Sequence, residues 1–402
     1  MTVVIPEAED PQVSVVMVTH AAWELTERAL SALAATAAGR FELIVVDNAS
    51  QDLTRVRLGE LRGAKVILNE TNRGFGPGTN QGAGLARAPY LLLLNTDALV
   101  HPGWLDPLLD AIGMEWVGAA VPRYLHPDGS LQEAGAVLAR DGTVAIYGDG
   151  EHPGRLQFRF RRVLDYGSAV CMLVRRSAFE AISGFDKAFV PAYYEDVDLC
   201  MRLAASGFCI MYEPRSTVTH VRYGSGGDRD AAMLSERNRT VFLNRWRSRL
   251  DGRPLTLSRL TQRAVLGARD ALATPRVLIY AAASDGDASR VADAILMSWP
   301  KARVTWVIDR PPGDHIGADR WLNKGVELLD PADEPCWAEN RLLHYDLVGI
   351  DEDLNSGARE VLANSQPQAR FMLLSTMCAD NGRLPSSTVS DLAASGIAPP
   401  DP

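Results

Sequence analysis

Hydrophobic positions along the first hundred residues alternate between two kinds of run. "VSVVMVTH" (13–20) is almost continuously apolar and β-branched, the pattern of a parallel strand buried on both faces. The next stretch, "ELTERALSALAATA", places Leu25, Leu30 and Leu33 on one side of a helix and has Gly39 beyond its end. "FELIVVDNAS", "AKVILNE" and "YLLLLNTDA" repeat the strand pattern with helical segments between them. This alternation predicts a doubly wound α/β sheet. After residue 115 the rhythm shortens. "VGAAVPRYLHPDGSLQEAGAVLARDGTVAIYG" carries two Asp-Gly turns among short strands and predicts antiparallel hairpins. "GSAVCMLVRRSAFEAI" returns to strand then helix, and "YYEDVDLCMRL" opens a helix ending near Gly207 before the strand "FCIMYEP".

From about residue 275 a second alternation begins, with strands "RVLIYAAAS", "ARVTWVID", "VELLD", "YDLVGID" and "ARFMLLS". These predict a separate Rossmann-like domain. Between the two domains, residues 236–263 carry eight arginines with Val241, Phe242, Leu243, Trp246 and Leu250 interleaved. The simplest reading is a solvated helix packed by its aromatic face, and the alternative is contact with an anionic membrane surface or a phosphorylated acceptor. The expected organisation is therefore a catalytic α/β domain over 1–235, an Arg-rich helical connector over 236–274, a Rossmann-like domain over 275–378 and a mobile tail over 379–402, which is rich in Ser, Ala, Asp and Pro.

Composition narrows the setting. The 402 residues are 47% hydrophobic, enough for two or three cores, and the net charge of −9 gives no reason to expect nucleic-acid binding. "MTVVIPEAEDP" is acidic and resembles no signal peptide, and no run approaches the ~18 apolar residues of a membrane span. Five cysteines without a CxxC pair argue against zinc or a disulfide framework and suit a reduced, cytoplasmic setting.

Ligands of an open α/β sheet bind beyond the carboxyl ends of its strands. Thr19 and His20, Asp47-Asn48-Ala-Ser50, and Asn95-Thr96-Asp97 all fall there. The first turn, "THAAWE", lacks the glycines of a dinucleotide site, and no P-loop is present. The glycine cluster "NRGFGPGTNQGAG" (72–84) follows the third strand and reads as a tight turn with small residues packed on the sheet. A carboxylate such as Asp97 at the rim of a strand suits a hard divalent cation, although an Asn-Thr-Asp tripeptide also suits a helix N-cap.

The ordered series "VSVVMVTH", "IVVDNAS", "NETNRGFGPGTNQG", "LLLLNTD", "GSAVCMLVRRSAFEAISGFD", "YYEDVDLCMRLAASGF" and "VTHVRYGS", over roughly residues 11–250, resembles family 2 glycosyltransferases, especially bacterial rhamnosyltransferases of cell-surface polysaccharide synthesis. The resemblance implies a GT-A fold, with a mixed sheet, and inverting transfer from a nucleotide-diphosphate sugar with Mg²⁺ or Mn²⁺. It implies Thr19, Asp47, Asn80, Asn95 and Thr96 at the donor nucleotide. Asp97 matches the metal-binding end of the family's DxD motif, Asn95 standing at its first Asp, and His220 matches a histidine that completes the metal or diphosphate site. Asp196 matches the general base and Glu195 its neighbour. A base is needed because a hydroxyl is a poor nucleophile until its proton is taken. Trp104, Tyr194 and Asp198 are weaker candidates for the acceptor: core packing is the better reading of the two aromatics, with a sugar platform the alternative, and Asp198 could orient the acceptor, pair with arginine or favour the helix start. The acceptor would be a glycan, glycolipid or small-molecule hydroxyl. Peripheral membrane contact is compatible with this sequence. The 275–378 stretch is similar to the first half of a GT-B transferase without its acidic donor motif, which suggests acceptor binding or self-association into a homo-oligomer. Two rivals stay open: a nucleotidyltransferase, and a carbohydrate-binding or scaffolding pseudo-transferase.

Overall fold

The computed structural model describes residues 4–6, 8–36, 39–221, 228–253, 262–270, 273–281, 286–308, 318–329, 345–351, 362, 364, 366, 368–377 and 384–394. The chain divides into two compact units, one of residues 1–153 and 164–257, the other of residues 154–163 and 258–402.

In the first unit, strands β1 (Val13–Thr19), β2 (Phe41–Asp47), β3 (Ala64–Leu68) and β4 (Tyr90–Leu94) are parallel and ordered β3-β2-β1-β4. β2 is buried throughout its length, which explains its unbroken apolar run. The sheet continues through β10 (Cys171–Arg175), antiparallel to β4, then β6 (Val117–Leu125) and β11 (Cys209–His220). It is thus a mixed sheet. The short β5 (Ala98–Val100) and β7 (Leu131–Glu133) add antiparallel pairs to β11 and β6, and β8 (Ala136–Leu138) with β9 (Val144–Ile146) forms the hairpin at the second Asp-Gly turn.

Helix α1 (Trp23–Thr36) buries Leu25, Ala29, Leu30 and Leu33 as one stripe. After it come α2 (Thr54–Glu60) and α3 (Phe75–Ala83), which occupies the glycine cluster. The small residues do pack on the sheet, but within a helix rather than a tight turn. A Cβ on Gly82 would lie 2.6 Å from Val16 Cγ1, and one on Gly78 3.1 Å from Val18 Cγ1. Their missing side chains let α3 approach β1 closely. The remaining helices of this unit are α4 (Leu105–Ile112), α5 (Arg176–Ala181), α6 (Glu195–Ala205) and α7 (Asp228–Trp246).

α7 and the following turn bury Phe242, Trp246 and Leu250 against the first unit. Three arginines of α7 are engaged within that unit. Arg237 donates to the Val190 carbonyl, Arg239 to the Asp141 carbonyl, and Arg245 binds Asp186 and Asp198. The expected connector, 236–274, is therefore divided between the two units at 257/258.

The second unit contains α8 (Gln262–Arg269), α9 (Gly286–Ser298), α10 (Ala318–Lys324) and a parallel sheet ordered β14-β13-β12-β15-β16, where β12 is Arg276–Ala281, β13 Arg303–Ile308, β14 Val326–Leu329, β15 Leu347–Ile350 and β16 Arg370–Leu373. This is the Rossmann-like order expected of the second alternation. Phe160, Trp306, Trp321 and the apolar side of α9 share its core. The stretch from 379, read as a tail, contains a helix, Ser386–Ala394, and Leu384 and Leu392 belong to the same core. Its small polar composition concealed two leucines sufficient to anchor it. The rest of that stretch (379–383 and 395–402) lies outside the described residues. Cys171, Cys200 and Cys209 are buried free thiols, while Cys336 and Cys378 lie outside the described residues. Among the described residues, no helix is long and apolar enough to cross a membrane.

Candidate active site

Strand register assembles the first part of the site. β1 and β2 pair with Thr19 opposite Asp47, and β4 ends beside them, so all three polar strand ends share one edge. β5 pairs with β11 so that Ala98 faces His220, which brings Asp97 beside that histidine. His220 Nε2 lies 3.3 Å from Asp97 Oδ2, with side chains only 13% and 16% exposed. The other ring nitrogen, Nδ1, is 2.6 Å from Gln132 Oε1. Among the described residues no cluster of three or more His, Cys, Asp or Glu side chains could hold a metal. The pair still fits a divalent cation that draws its other ligands from a bound substrate and water. It offers one carboxylate oxygen and one imidazole nitrogen, both of which can ligate such a cation once Nε2 carries no proton.

The second part is the start of α6. Tyr193 and Tyr194 precede it with φ of 75° and 68°, an uncommon conformation for two successive non-glycine residues. They turn the chain so that Glu195 and Asp196 begin the helix. Asp196 Oδ2 accepts hydrogen bonds from the Tyr166 hydroxyl (2.8 Å) and the Ala169 N–H (3.3 Å), and Oδ1 accepts from the Val197 N–H (2.9 Å). Glu195 Oε2 is buried without a hydrogen-bond partner. Burial raises both carboxyl groups above their ordinary range, and the neighbouring Asp196 charge raises Glu195 further. For Asp196 the hydrogen bonds from Tyr166 and Ala169 act in the opposite direction and only partly offset burial. The two parts meet through residues 169–170: Ala169 donates to Asp196, while the Val170 carbonyl accepts from the Asn95 N–H.

The other candidates are placed differently. Thr19 is 1% exposed, with its hydroxyl bonded to the Ala21 carbonyl and facing the Thr26 hydroxyl. It supports the 20–22 turn, where Ala21 and Ala22 have positive φ. Asp47 is fully buried, accepting from the Ser50 N–H and lying 3.5 Å from Arg55 Nη1. Arg55 therefore stands between Asp47 and solvent. Asn80 brackets the Phe185 backbone, donating to its carbonyl and accepting from its N–H at 2.8 Å each, so its amide is committed to holding α3. Asn95 and Thr96 remain half-buried at the edge beside Asp97.

For the three weak acceptor candidates the structure shows the alternative, structural role. Trp104 is 1% exposed with its indole N–H bonded to Thr36, so it is a core residue. Tyr194 is packed against Phe242 and donates to the Gly142 carbonyl, which leaves no face for a sugar. Asp198 is fully buried and accepts from Arg202, Arg245 and Trp246, so it anchors α6 to α7. The sequence reading missed Gln132 and Tyr166. Neither lies in a motif, and only the weak signal of polar residues beside the Asp-Gly turns was available for Gln132.

Comparison with known proteins bears on the family of the chain. The family model "Glycosyl transferase family 2" matches residues 14–183. An uncharacterized protein, y4gI, of Sinorhizobium fredii is 28% identical over 211 residues, covering 50% of this chain and only 23% of y4gI. The N-acetylglucosaminyl-diphospho-decaprenol L-rhamnosyltransferase of Mycobacterium tuberculosis is 30% identical over 254 residues, covering 57% of this chain and 82% of that enzyme. Among solved structures, GalNAc-T7 with UDP, GalNAc and Mn²⁺ aligns at 15% identity and a TM-score of 0.45, over 61% of this chain and 53% of that one.

Proposed function

The chain belongs to glycosyltransferase family 2, with the mixed GT-A sheet in its first unit, and from that premise we propose that it is a metal-dependent inverting transferase. It moves a sugar from a nucleotide-diphosphate donor to a hydroxyl of a glycan or glycolipid. The observation that carries this reading is the approach of His220 to Asp97 at 3.3 Å, on the sheet edge that residues 169–170 connect to Asp196.

Asp97 and His220 would hold Mg²⁺ or Mn²⁺ together with diphosphate oxygens of the donor. Such a cation supplies Lewis-acid stabilisation of the negative charge that grows on the departing diphosphate. Asn95 and Thr96, beside Asp97, are the residues we assign to the donor, with Arg55 and the buried Asp47 behind it toward the nucleotide. Asp196 takes the proton of the acceptor hydroxyl as its oxygen bonds to the anomeric carbon. The bond from that carbon to the diphosphate breaks on the opposite side, which inverts the centre. Tyr166 and the Ala169 N–H fix the orientation of the base. Its raised pKa increases its basicity, so proton uptake is better matched to the task.

The mycobacterial relative's name supports a lipid-linked acceptor, and we extend that acceptor class to this chain. Calorimetric titration with UDP, dTDP, GDP and CDP, each with Mn²⁺ and again with EDTA, tests the donor side. One diphosphate should bind in the presence of Mn²⁺ and be released by EDTA, and Asp97→Ala should abolish that dependence. Binding of none of the four would overturn the reading in favour of a pseudo-transferase.

A further inference from the structure

The geometry points to Gln132 as a positioning residue that holds a proton on Nδ1 of the His220 imidazole and so leaves Nε2, turned toward Asp97, as the nitrogen that can ligate. This rests on the reading above that Asp97 and His220 share a cation. β7 is only three residues long, and its middle residue, Gln132, is 5% exposed. Gln132 Nε2 donates to the main-chain carbonyl of His220 (3.1 Å), while Oε1 faces Nδ1 of the same residue (2.6 Å). The amide cannot be reversed without setting its oxygen against that carbonyl, two acceptors in contact. The orientation is therefore dictated by the backbone, and Oε1 must accept a proton from Nδ1–H. Nε2 is then the nitrogen left to face a cation, 3.3 Å from Asp97 Oδ2, and without a cation the Asp97 carboxylate can accept from it.

A second histidine fixes the amide from behind. Gln132 Nε2 is also 3.1 Å from His126 Nδ1, and His126 Nε2 is 2.8 Å from Asp149 Oδ1. The Asp149 carboxylate can only accept, so His126 carries its proton on Nε2 and offers Nδ1 as an acceptor to the second N–H of Gln132. Asp149, His126, Gln132 and His220 thus form one directed series of hydrogen bonds, every donor matched to an acceptor, ending at a ring nitrogen able to ligate. Partners of this kind, lying behind a metal-binding histidine, set its tautomer and ring angle.

The test uses the full chain with ¹⁵N-labelled histidine. Long-range ¹H–¹⁵N correlation reads which imidazole nitrogen carries the proton, with His220→Gln identifying the signals. In the metal-free wild type His220 should carry a proton on Nδ1, and in Gln132→Leu, where Asp97 still accepts from Nε2, Nδ1 should lose that proton. Mn²⁺ affinity, read by electron paramagnetic resonance with the tightest-binding of the four diphosphates, should fall about 10–100-fold in Gln132→Leu, the range typical for loss of such a partner. A His220 without a proton on Nδ1 in the wild type overturns the proposal without any variant, as does an Nδ1 that stays protonated in a folded Gln132→Leu protein. Failure of the wild type to bind Mn²⁺ would remove the cation from the site but leave the tautomer measurement to decide the role of Gln132.

Discussion

Asp196 and Asp198 are two residues apart in one acidic stretch, yet the structure gives them separable jobs, and replacing each alone should separate stability from chemistry. Asp198 is fully buried and accepts from Arg202 Nε (2.6 Å), Arg245 Nη1 (2.7 Å) and Trp246 Nε1 (2.9 Å). In Asp198→Ala the Arg202 guanidinium, only 16% exposed, loses its one carboxylate partner and keeps the Ile182 and Gly184 carbonyls. Arg245 is a third exposed and retains Asp186, so its loss is smaller. The Trp246 indole N–H loses its acceptor. Breaking a buried pair from one side costs about 3–5 kcal/mol, and the lower end applies here because Arg245 is hydrated. At roughly 2–4 °C per kcal/mol for a domain of this size, the first unit should melt at least about 6 °C earlier. Asp196→Asn should behave oppositely. Burial already disfavours its ionised form, so losing the charge costs little, but the new amide must turn its N–H group toward one of the donors that bind the carboxylate, at about 1–3 kcal/mol and below the cost of Asp198→Ala, while transfer is abolished. The assay is thermal melting beside a transfer assay on both variants. Asp198→Ala that melts with the wild type yet loses transfer would refute the reasoning and return Asp198 to the acceptor site.

Three further outcomes follow from the same contacts. Asp196 ionises before Glu195, which its charge raises further, so Glu195→Gln should leave the acid limb of the transfer pH profile where the buried Asp196 sets it, above the usual carboxylate range; a limb moved to lower pH would mean that the two carboxyl groups titrate as a pair. Burial opposes ionisation of Glu42, but bonds from Ser14, the Arg87 N–H, Lys65 and the Arg87 guanidinium outweigh it and hold the group at about 2. Its contribution to stability is therefore complete above the unfolded value near 4.5 and lost as pH falls toward 2, and Glu42→Gln should flatten the acid limb of urea unfolding over that window. Gly82→Ala, with its new methyl 2.6 Å from Val16 Cγ1, should destabilise the first unit by about 1–3 kcal/mol despite the better helix propensity of alanine; a neutral or stabilised variant would show that α3 can lift off the sheet.

Local patterns carry local structure, and the parts of this molecule that were legible in its sequence are those with local causes. β2 is buried on both faces and therefore reads as "FELIVV", and the two Asp-Gly pairs lie at the β6–β7 and β8–β9 turns because those turns favour such residues. Asp97 and Asp196 were legible because each ends a strand or begins a helix inside a motif. The pairing of Asp97 with His220 depends on the β5–β11 register, across more than a hundred residues, and only the family resemblance hinted at it. The core placement of Trp104 and Tyr194 was the favoured reading but could not be decided from sequence, for the same reason. Their burial is set by Thr36 and Gly142, 68 and 52 positions away, and an aromatic side chain has the same identity in a core as on a sugar platform. Gln132 is the strongest instance. An amide in a short strand carries no chemical signal of its own, and its effect lies in the orientation imposed by the His220 carbonyl and the His126 ring. A residue whose role is to orient another becomes visible only when that other residue is in place, so motif reading finds the groups that react and structure is needed to find the groups that aim them.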